Sequence, residues 1–335
     1  PAIAILIVLG WSVWFPKEQW QRLATGSVAV VLFLVTFTSL WRVILPAYTP
    51  ATVLNAGYAL AELPPLGWLY GDAIRLETAT VSPVTLQPGD TISAVMFWRA
   101  TERPLVNYSE FVRVIGGGEQ VIAGRDTFPG MGLLPTRYWQ PGQVVQDVLL
   151  LKLPSDIADI PQVAQVRVGL YNFRTADRAG LPTVAADGQP VLPVVSRVKI
   201  IPAEWQLAAP QFPRPVQFAD GIRLAGYDLT CAEACRLTLH WQPNARPNAA
   251  YTVFIQHWVH GKMVAGFDAP PRNGTYPTDW WDAGEEISDA HRLPRLSGGE
   301  LRVGLYRLDT GERLPVLSAD EHTADDALII PVDEK

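Results

Sequence analysis

Apolar and polar positions divide the chain into two unlike parts. Residues 1–15 and 23–45 are almost wholly apolar, and residues 23–41 carry no charge. A run of that length spans roughly 30 Å of hydrocarbon at about 1.5 Å per residue, so 23–45 predicts a transmembrane helix. Ser and Thr are scattered through it without forming a polar stripe, which argues against the core helix of a soluble domain. Residues 1–15 are short for a full span and predict a short or truncated transmembrane helix. A signal-peptide core is the rival reading, but a basic leader and a small-x-small cleavage site are missing. Trp14, Trp20 and Trp41 fall near the ends of these segments, where indoles favour the membrane interface. Pro46 ends the second helix because proline cannot continue the hydrogen-bond ladder. Residues 46–70, with Pro64-Pro65 and no strand alternation, read as an extended connector lying against the first β domain.

Beyond residue 70 the pattern shortens to runs of four to eight β-branched and aromatic residues, separated by turn chemistry such as Gln87-Pro88-Gly89-Asp90 and Asp309-Thr310-Gly311-Glu312. The runs occur twice in the same order. Thr91 to Trp98 matches Arg236 to Trp241, and Tyr108 to Val114 matches Tyr251 to His257. Leu134-Pro135-Thr136-Arg137-Tyr138-Trp139-Gln140-Pro141-Gly142-Gln143 matches Tyr276-Pro277-Thr278-Asp279-Trp280-Trp281-Asp282-Ala283-Gly284-Glu285. Asp147 and Asp289 come after these turns and could accept hydrogen bonds from turn amides, and Arg167-Val168-Gly169-Leu170-Tyr171 matches Arg302-Val303-Gly304-Leu305-Tyr306. A period this long means tandem domains. The expected fold is mainly β: two tandem β-sandwiches, like immunoglobulin domains or carbohydrate-binding modules, at 71–201 and 216–335, behind one or two N-terminal transmembrane helices. A small closed barrel is the alternative. Residues 202–215, rich in proline, form a semi-rigid linker between them.

Charge narrows the partners. A net charge of −6 without a basic run excludes a phosphate-neutralising surface, so no nucleic-acid partner is expected. Cys231 and Cys235 are the two cysteines, and no further Cys or His stands at zinc-ligand spacing. A short-loop disulfide is the first reading and two reduced thiols the second; a disulfide fits an oxidising compartment. Lys17 and Arg22 precede the 23–45 helix, so the positive-inside tendency puts that flank in the cytoplasm and residues 46–335 outside.

Candidate chemistry is sparse. Trp98 and Trp241 end strands and are expected in the cores. Trp139 and Trp281, with neighbours Tyr138, Tyr276 and Trp280, are the candidate contact residues: exposed rings could grip a sugar face or a protein partner, or the rings could cap an open sandwich end. Glu285, Glu286, Asp289 and His291 lack the spacing of a glycosidase pair and read as solvated surface charge. No nucleophile elbow, phosphate loop, dinucleotide fingerprint or metalloprotease helix occurs. No cofactor and no metal site is called for.

The Leu86-Gln87-Pro88-Gly89-Asp90 strand start, the Tyr-Pro-Thr-x-x-Trp-x-x-Gly-Glu turn, the Arg-Val-Gly-Leu-Tyr strand with its Gly-Glu-Arg-Leu-Pro-Val ending, and an apolar helix closing in Pro-Ala-Tyr-x-Pro form a set. Together they resemble the C-terminal tail of bacterial family 39 membrane glycosyltransferases, the dolichyl-phosphate-mannose-protein-mannosyltransferase-like enzymes. The resemblance implies extracytoplasmic sandwiches behind several membrane spans. It carries over no catalytic residue, because the family's catalytic carboxylate lies in an early outer loop. The expectation is a membrane-anchored, extracytoplasmic and non-catalytic region that contacts the bilayer and other membrane subunits or glycans. The alternative is the C-terminal part of a polyprenyl-phosphosugar-dependent transferase.

Overall fold

The computed structural model describes residues 17–44, 51–54, 64–205, 209–317 and 322–333. The predicted helix 1–15 and the Pro46 terminator lie outside the described residues.

Helix α1 (Glu18–Ser39) runs for 22 residues and continues as a π-helical turn at Leu40–Ile44. It starts before the uncharged run, and Arg22 pairs with Glu18 at 2.6 Å within its first turns. Two polar side chains inside the apolar stretch are satisfied by the helix itself. The Thr36 hydroxyl donates to Leu32 O at 2.7 Å and the Thr38 hydroxyl to Leu34 O at 2.6 Å. Glu18–Arg42 is long and apolar enough to cross a membrane, and none of its most apolar window is buried against the rest of the protein.

The first repeat contributes β1 (Thr52–Leu54), β2 (Trp68–Tyr70), β3 (Ile74–Ser82), β4 (Thr85–Leu86) and β5 (Thr91–Ala100). It continues with β6 (Tyr108–Ile115), β7 (Val121–Thr127), β8 (Val144–Lys152), β9 (Gln162–Asn172), β10 (Thr183–Val184) and β11 (Val194–Ile200). The second contributes β12 (Val216–Gln217), β13 (Arg223–Cys231), β14 (Cys235–Trp241), β15 (Tyr251–Val259) and β16 (Lys262–Gly266). It ends with β17 (Ile287–Leu293), β18 (Glu300–Arg307), β19 (Thr323–Ala324) and β20 (Ala327–Pro331).

These strands build four sheets. In the first repeat β1-β8-β5-β3-β2-β10 faces β4-β11-β9-β6-β7; in the second β12-β13-β14-β17 faces β16-β15-β18-β20-β19. Each pair encloses one core, because period-two alternation turns one face of every long strand inward. Ile92, Ala94, Met96 and Trp98 of β5 meet Ala164, Val166, Val168 and Leu170 of β9 in the first core. Leu237, Leu239 and Trp241 of β14 meet Leu301, Val303 and Leu305 of β18 in the second. Tandem sandwiches, not closed barrels, are therefore the architecture.

The repeated Gly-Leu-Tyr strands have a steric cause. Phe111 stands directly opposite Gly169 across β6 and β9, and Phe254 opposite Gly304 across β15 and β18. A Cβ on Gly169 would lie 2.3 Å from the Phe111 ring, and one on Gly304 2.5 Å from the Phe254 ring. Each ring occupies the space of the missing side chain and has a guanidinium over it, Arg113 at 4.5 Å and Arg313 at 4.4 Å from the ring centroid.

Two of the expected connecting segments carry strand pairing. The connector 46–70 contains β1 and β2, both paired into the first repeat's larger sheet. Each has three residues, too few to show alternation in a sequence window. In the linker 202–215, Phe212 pairs with the second sandwich, exchanging backbone hydrogen bonds of 2.9 and 3.0 Å with Tyr227.

Candidate functional site

The two Trp turns are built alike, bond for bond. Thr136 accepts from the Tyr108 amide at 2.9 Å and donates to Val106 O, while Thr278 accepts from the Tyr251 amide at 2.8 Å and donates to Ala249 O. One hydroxyl thus ties each turn to the strand entering the opposite sheet. A 3-10 turn comes next, Thr136–Tyr138 or Thr278–Trp280, and swings the next indole inward. The Trp139 indole N–H donates to Leu134 O and the Trp281 indole N–H to Tyr276 O, both at 3.1 Å.

This geometry revises the candidate contact residues. Trp139, Trp281 and Tyr276 are fully buried and present no face to a glycan or a partner. They are end caps of the cores. Of the five rings, Tyr138 is exposed, at 59%, with Arg137 stacked 5.4 Å from its centroid, and Trp280 is half-buried. Satisfying an indole N–H inside the turn makes burial of the whole ring favourable.

Asp147 and Asp289 anchor the segment before each turn. Asp147 accepts from the Gly130 amide and Asp289 from the Arg272 amide, both at 2.7 Å. The residues Gly130 and Met131, like Arg272 and Asn273, are left-handed, and the carboxylate bond holds that conformation. The remaining partners differ. In the first repeat Glu110 lies beside Asp147, and the Trp98 indole donates to Glu110 Oε2 at 3.2 Å. Complete burial, then the Asp147 charge, push the Glu110 carboxyl well above the usual carboxylate range. Its Oε1 is buried without a hydrogen-bond partner among the described residues. In the second repeat Asp289 instead meets the Trp241 indole at 3.3 Å and His291 Nε2 at 2.9 Å.

Glu285, Asp289 and His291 are accordingly buried, which overturns their reading as solvated surface charge, while Asp147 and Asp289 accept from backbone amides as the sequence suggests. Glu285 belongs to the seam between the repeats. Lys199, the penultimate residue of β11, is 3% exposed and reaches Asp282 Oδ2 at 2.6 Å and Glu285 Oε1 at 2.5 Å in the second repeat's Trp turn. The Tyr276 hydroxyl donates to the other Glu285 oxygen at 2.6 Å. Burial and this carboxylate push the Tyr276 phenol far upward, so it stays protonated as the donor. Arg272 adds a bond to Asp159 at 2.5 Å and the Val163 amide donates to Thr275 O at 2.7 Å. The Thr275 methyl closes on Gly117, where a Cβ would lie 2.5 Å away.

The equivalent face of the first repeat is also occupied. Gly130, in the place of Arg272, has its α-carbon side against Ala51, where a Cβ would lie 3.2 Å from the alanine methyl, and β1 continues along β8. Each Trp-turn end is therefore covered by the element that precedes it in the chain. Sequence reasoning passed over Lys199 and the seam. The signal was a charge difference inside a matched motif: Gln140 and Gln143 of the first turn stand where Asp282 and Glu285 stand in the second.

Cys231 and Cys235 close a disulfide across the tip of the β13–β14 hairpin. Among the described residues no group of His, Cys, Asp and Glu side chains is placed to hold a metal ion. His257 Nε2 bonds Gly298 O and His240 Nε2 bonds Asp228, each at 2.9 Å. The Glu110–Asp147 pair is sealed in the core, out of reach of a substrate. No protein-family model matches the chain, and no curated protein matches it.

Proposed function

We propose that this protein is a membrane-anchored, extracytoplasmic interaction arm that does no chemistry in these residues. Helix α1 is the anchor. Lys17 and Arg22 at its first end favour a cytoplasmic start, and the Cys231–Cys235 disulfide suits an oxidising compartment for the sandwiches. The observation that carries the reading is the seam. A buried lysine held by two carboxylates, backed by the Arg272–Asp159 pair and a backbone bond, fixes one mutual angle between the sandwiches. A fixed angle suits an arm that presents its surface to other membrane subunits or glycans at a set distance from the bilayer.

Spin labels at Leu105→Cys and Leu308→Cys, both strongly exposed and one in each repeat, test it in lipid nanodiscs. A single narrow distance distribution is expected, together with cleavage of the sandwiches by protease added outside sealed spheroplasts. A broad distribution, or protection from outside protease, overturns the reading. The motif set from Leu86 to the Gly-Leu-Tyr strands favours a second reading, in which the arm is the C-terminal part of a polyprenyl-phosphosugar-dependent membrane transferase. Several further spans in the reading frame upstream, with an acidic residue in the first outer loop, would support it.

A further inference from the structure

The Trp-turn ends of the two sandwiches are built alike but tipped differently. In the first repeat, loops 101–107, 128–143 and 173–180 adjoin there. The Arg137 amide donates to Asn107 Oδ1 at 3.2 Å, and the Phe128 and Phe173 rings stand 6.3 Å apart. Leu105, Leu133, Tyr138 and Phe173 project from these loops, all exposed, Leu105 to 94%. One exposed apolar residue is ordinary, but four on adjoining loops make a patch. The second repeat shows that the fold does not require it. Arg103-Pro104-Leu105 matches Arg246-Pro247-Asn248, each proline buried, so an exposed asparagine stands in the place of Leu105. Counting from the matched motifs, Leu133 corresponds to Thr275 and Arg137 to Asp279, while Tyr138 and Phe173 keep apolar counterparts in Trp280 and Leu308. Residues 128–143 hold no carboxylate, whereas the matched residues 270–285 hold Asp279, Asp282 and Glu285. Lys199 accounts for Asp282 and Glu285, but not for Asp279 or Asn248.

What sets the first repeat apart is its place next to the anchor. Residues 45–50 join Ile44, at the end of the helix, to Ala51. Even fully extended, they keep Ala51 within roughly 25 Å of the helix end. Ala51 packs on Gly130, three residues before Leu133, and β1 ends with Leu54 opposite Val144 at the same end of the sandwich. The chain from the bilayer therefore enters the first sandwich beside the apolar loops. Charge there is near balance. The four arginines of the loops are matched in number by Glu102, Asp177, Asp72 of the adjoining turn, and Glu62, which lies outside the described residues. Attraction to anionic lipid is thus not the driving force, and burial of apolar side chains is.

We propose that the Trp-turn end of the first sandwich docks on the outer surface of the bilayer that holds α1, with Leu105, Leu133, Tyr138 and Phe173 inserted among the headgroups of neutral phospholipid. Tyrosine suits that interface, and arginine stems can lie along it with their guanidiniums in water. The second sandwich, with Asn248 and Asp279 at the matched tips, stays in water. The inference rests on the reading of α1 as an anchor with the sandwiches outside, but its test is separate. Docking can fail while the inter-repeat distances and the protease cleavage stand.

The full chain is placed in phosphatidylcholine nanodiscs with a nitroxide at Leu133→Cys in one preparation and at Leu308→Cys in another. Power saturation then compares collisions with oxygen, which concentrates in lipid, and with a nickel chelate confined to water. The Leu133 label is expected to favour oxygen and the Leu308 label nickel, and added salt should change neither. Leu105→Asn with Tyr138→Ala, two exposed positions whose change leaves the core intact, is expected to shift the Leu133 label to the nickel-favouring side. A Leu133 label that favours nickel from the start overturns the proposal. A label hidden from both reagents, as in contact with a second protein chain, overturns it too. So does an oxygen preference that needs anionic lipid, is lost in salt, or survives the double variant.

Discussion

Lys199 Nζ lies 2.5 Å from Glu285 Oε1, across the boundary between the two sandwiches. Both side chains are nearly out of water, so the pair is worth less as a source of net stability than as a lock. Removing one partner leaves the other charge buried. Lys199→Met is expected to cost about 3 kcal/mol in chemical unfolding and to broaden the inter-repeat label distances. Adding Glu285→Gln should recover most of the stability but not the narrow distance. Full recovery of both would show that the pair does not set the angle.

Trp281 and Tyr138 should separate sharply. Trp281→Ala removes a buried ring and is expected to cost about 3–5 kcal/mol, read as a lowered midpoint in thermal unfolding. Tyr138→Ala removes an exposed ring and should stay within about 0.5 kcal/mol of the parent. Equal costs would contradict the assignment of one as a cap and the other as surface.

Gly169 is expected to reject even a methyl group. Gly169→Ala drives a Cβ into the Phe111 ring and should cost about 1–3 kcal/mol. In a Phe111→Leu background the same change should cost markedly less. A double-mutant cycle measures the coupling, and additivity of the two changes would rule out the steric explanation.

Glu110 makes a signed prediction with pH. Its carboxyl is raised in the folded state, by burial first and by Asp147 second, relative to an ordinary value of 4.5 in the unfolded chain. Above that value the unfolded state loses the proton while the folded state keeps it. The contribution is therefore full below about pH 4.5 and is lost as pH rises through the folded value. Glu110→Gln keeps a neutral donor in place, so its stability relative to the parent should improve as pH rises from 4.5 toward 8 in urea titrations. A difference that does not change with pH would mean Glu110 is ionised in the fold.

What the sequence disclosed was whatever repeats or alternates. The matched strands, the cores around Trp98 and Trp241, and the apolar helix all derive from periodicity over several residues. What it hid depends on contacts between distant segments. A turn containing Trp139 is compatible with an indole pointing either way, and only the Leu134 carbonyl decides. Three-residue strands such as β1 have no period to read. Lys199 looks like one more polar residue on a strand until Asp282 and Glu285 arrive from the next sandwich. His291 looks like surface charge until it is seen buried against Asp289, whose bond to a backbone amide the turn chemistry did suggest.

Because the Trp-turn end of each sandwich closes on the element before it, the order of assembly is written into the order of the chain. The first sandwich needs only the segment carrying Ala51, which leaves the ribosome ahead of it. The second needs Lys199, Val163 and Asp159, which are complete before its own turn is made. Neither Trp-turn end waits for a later element to cover it, so the two ends can close in the order in which they are synthesised.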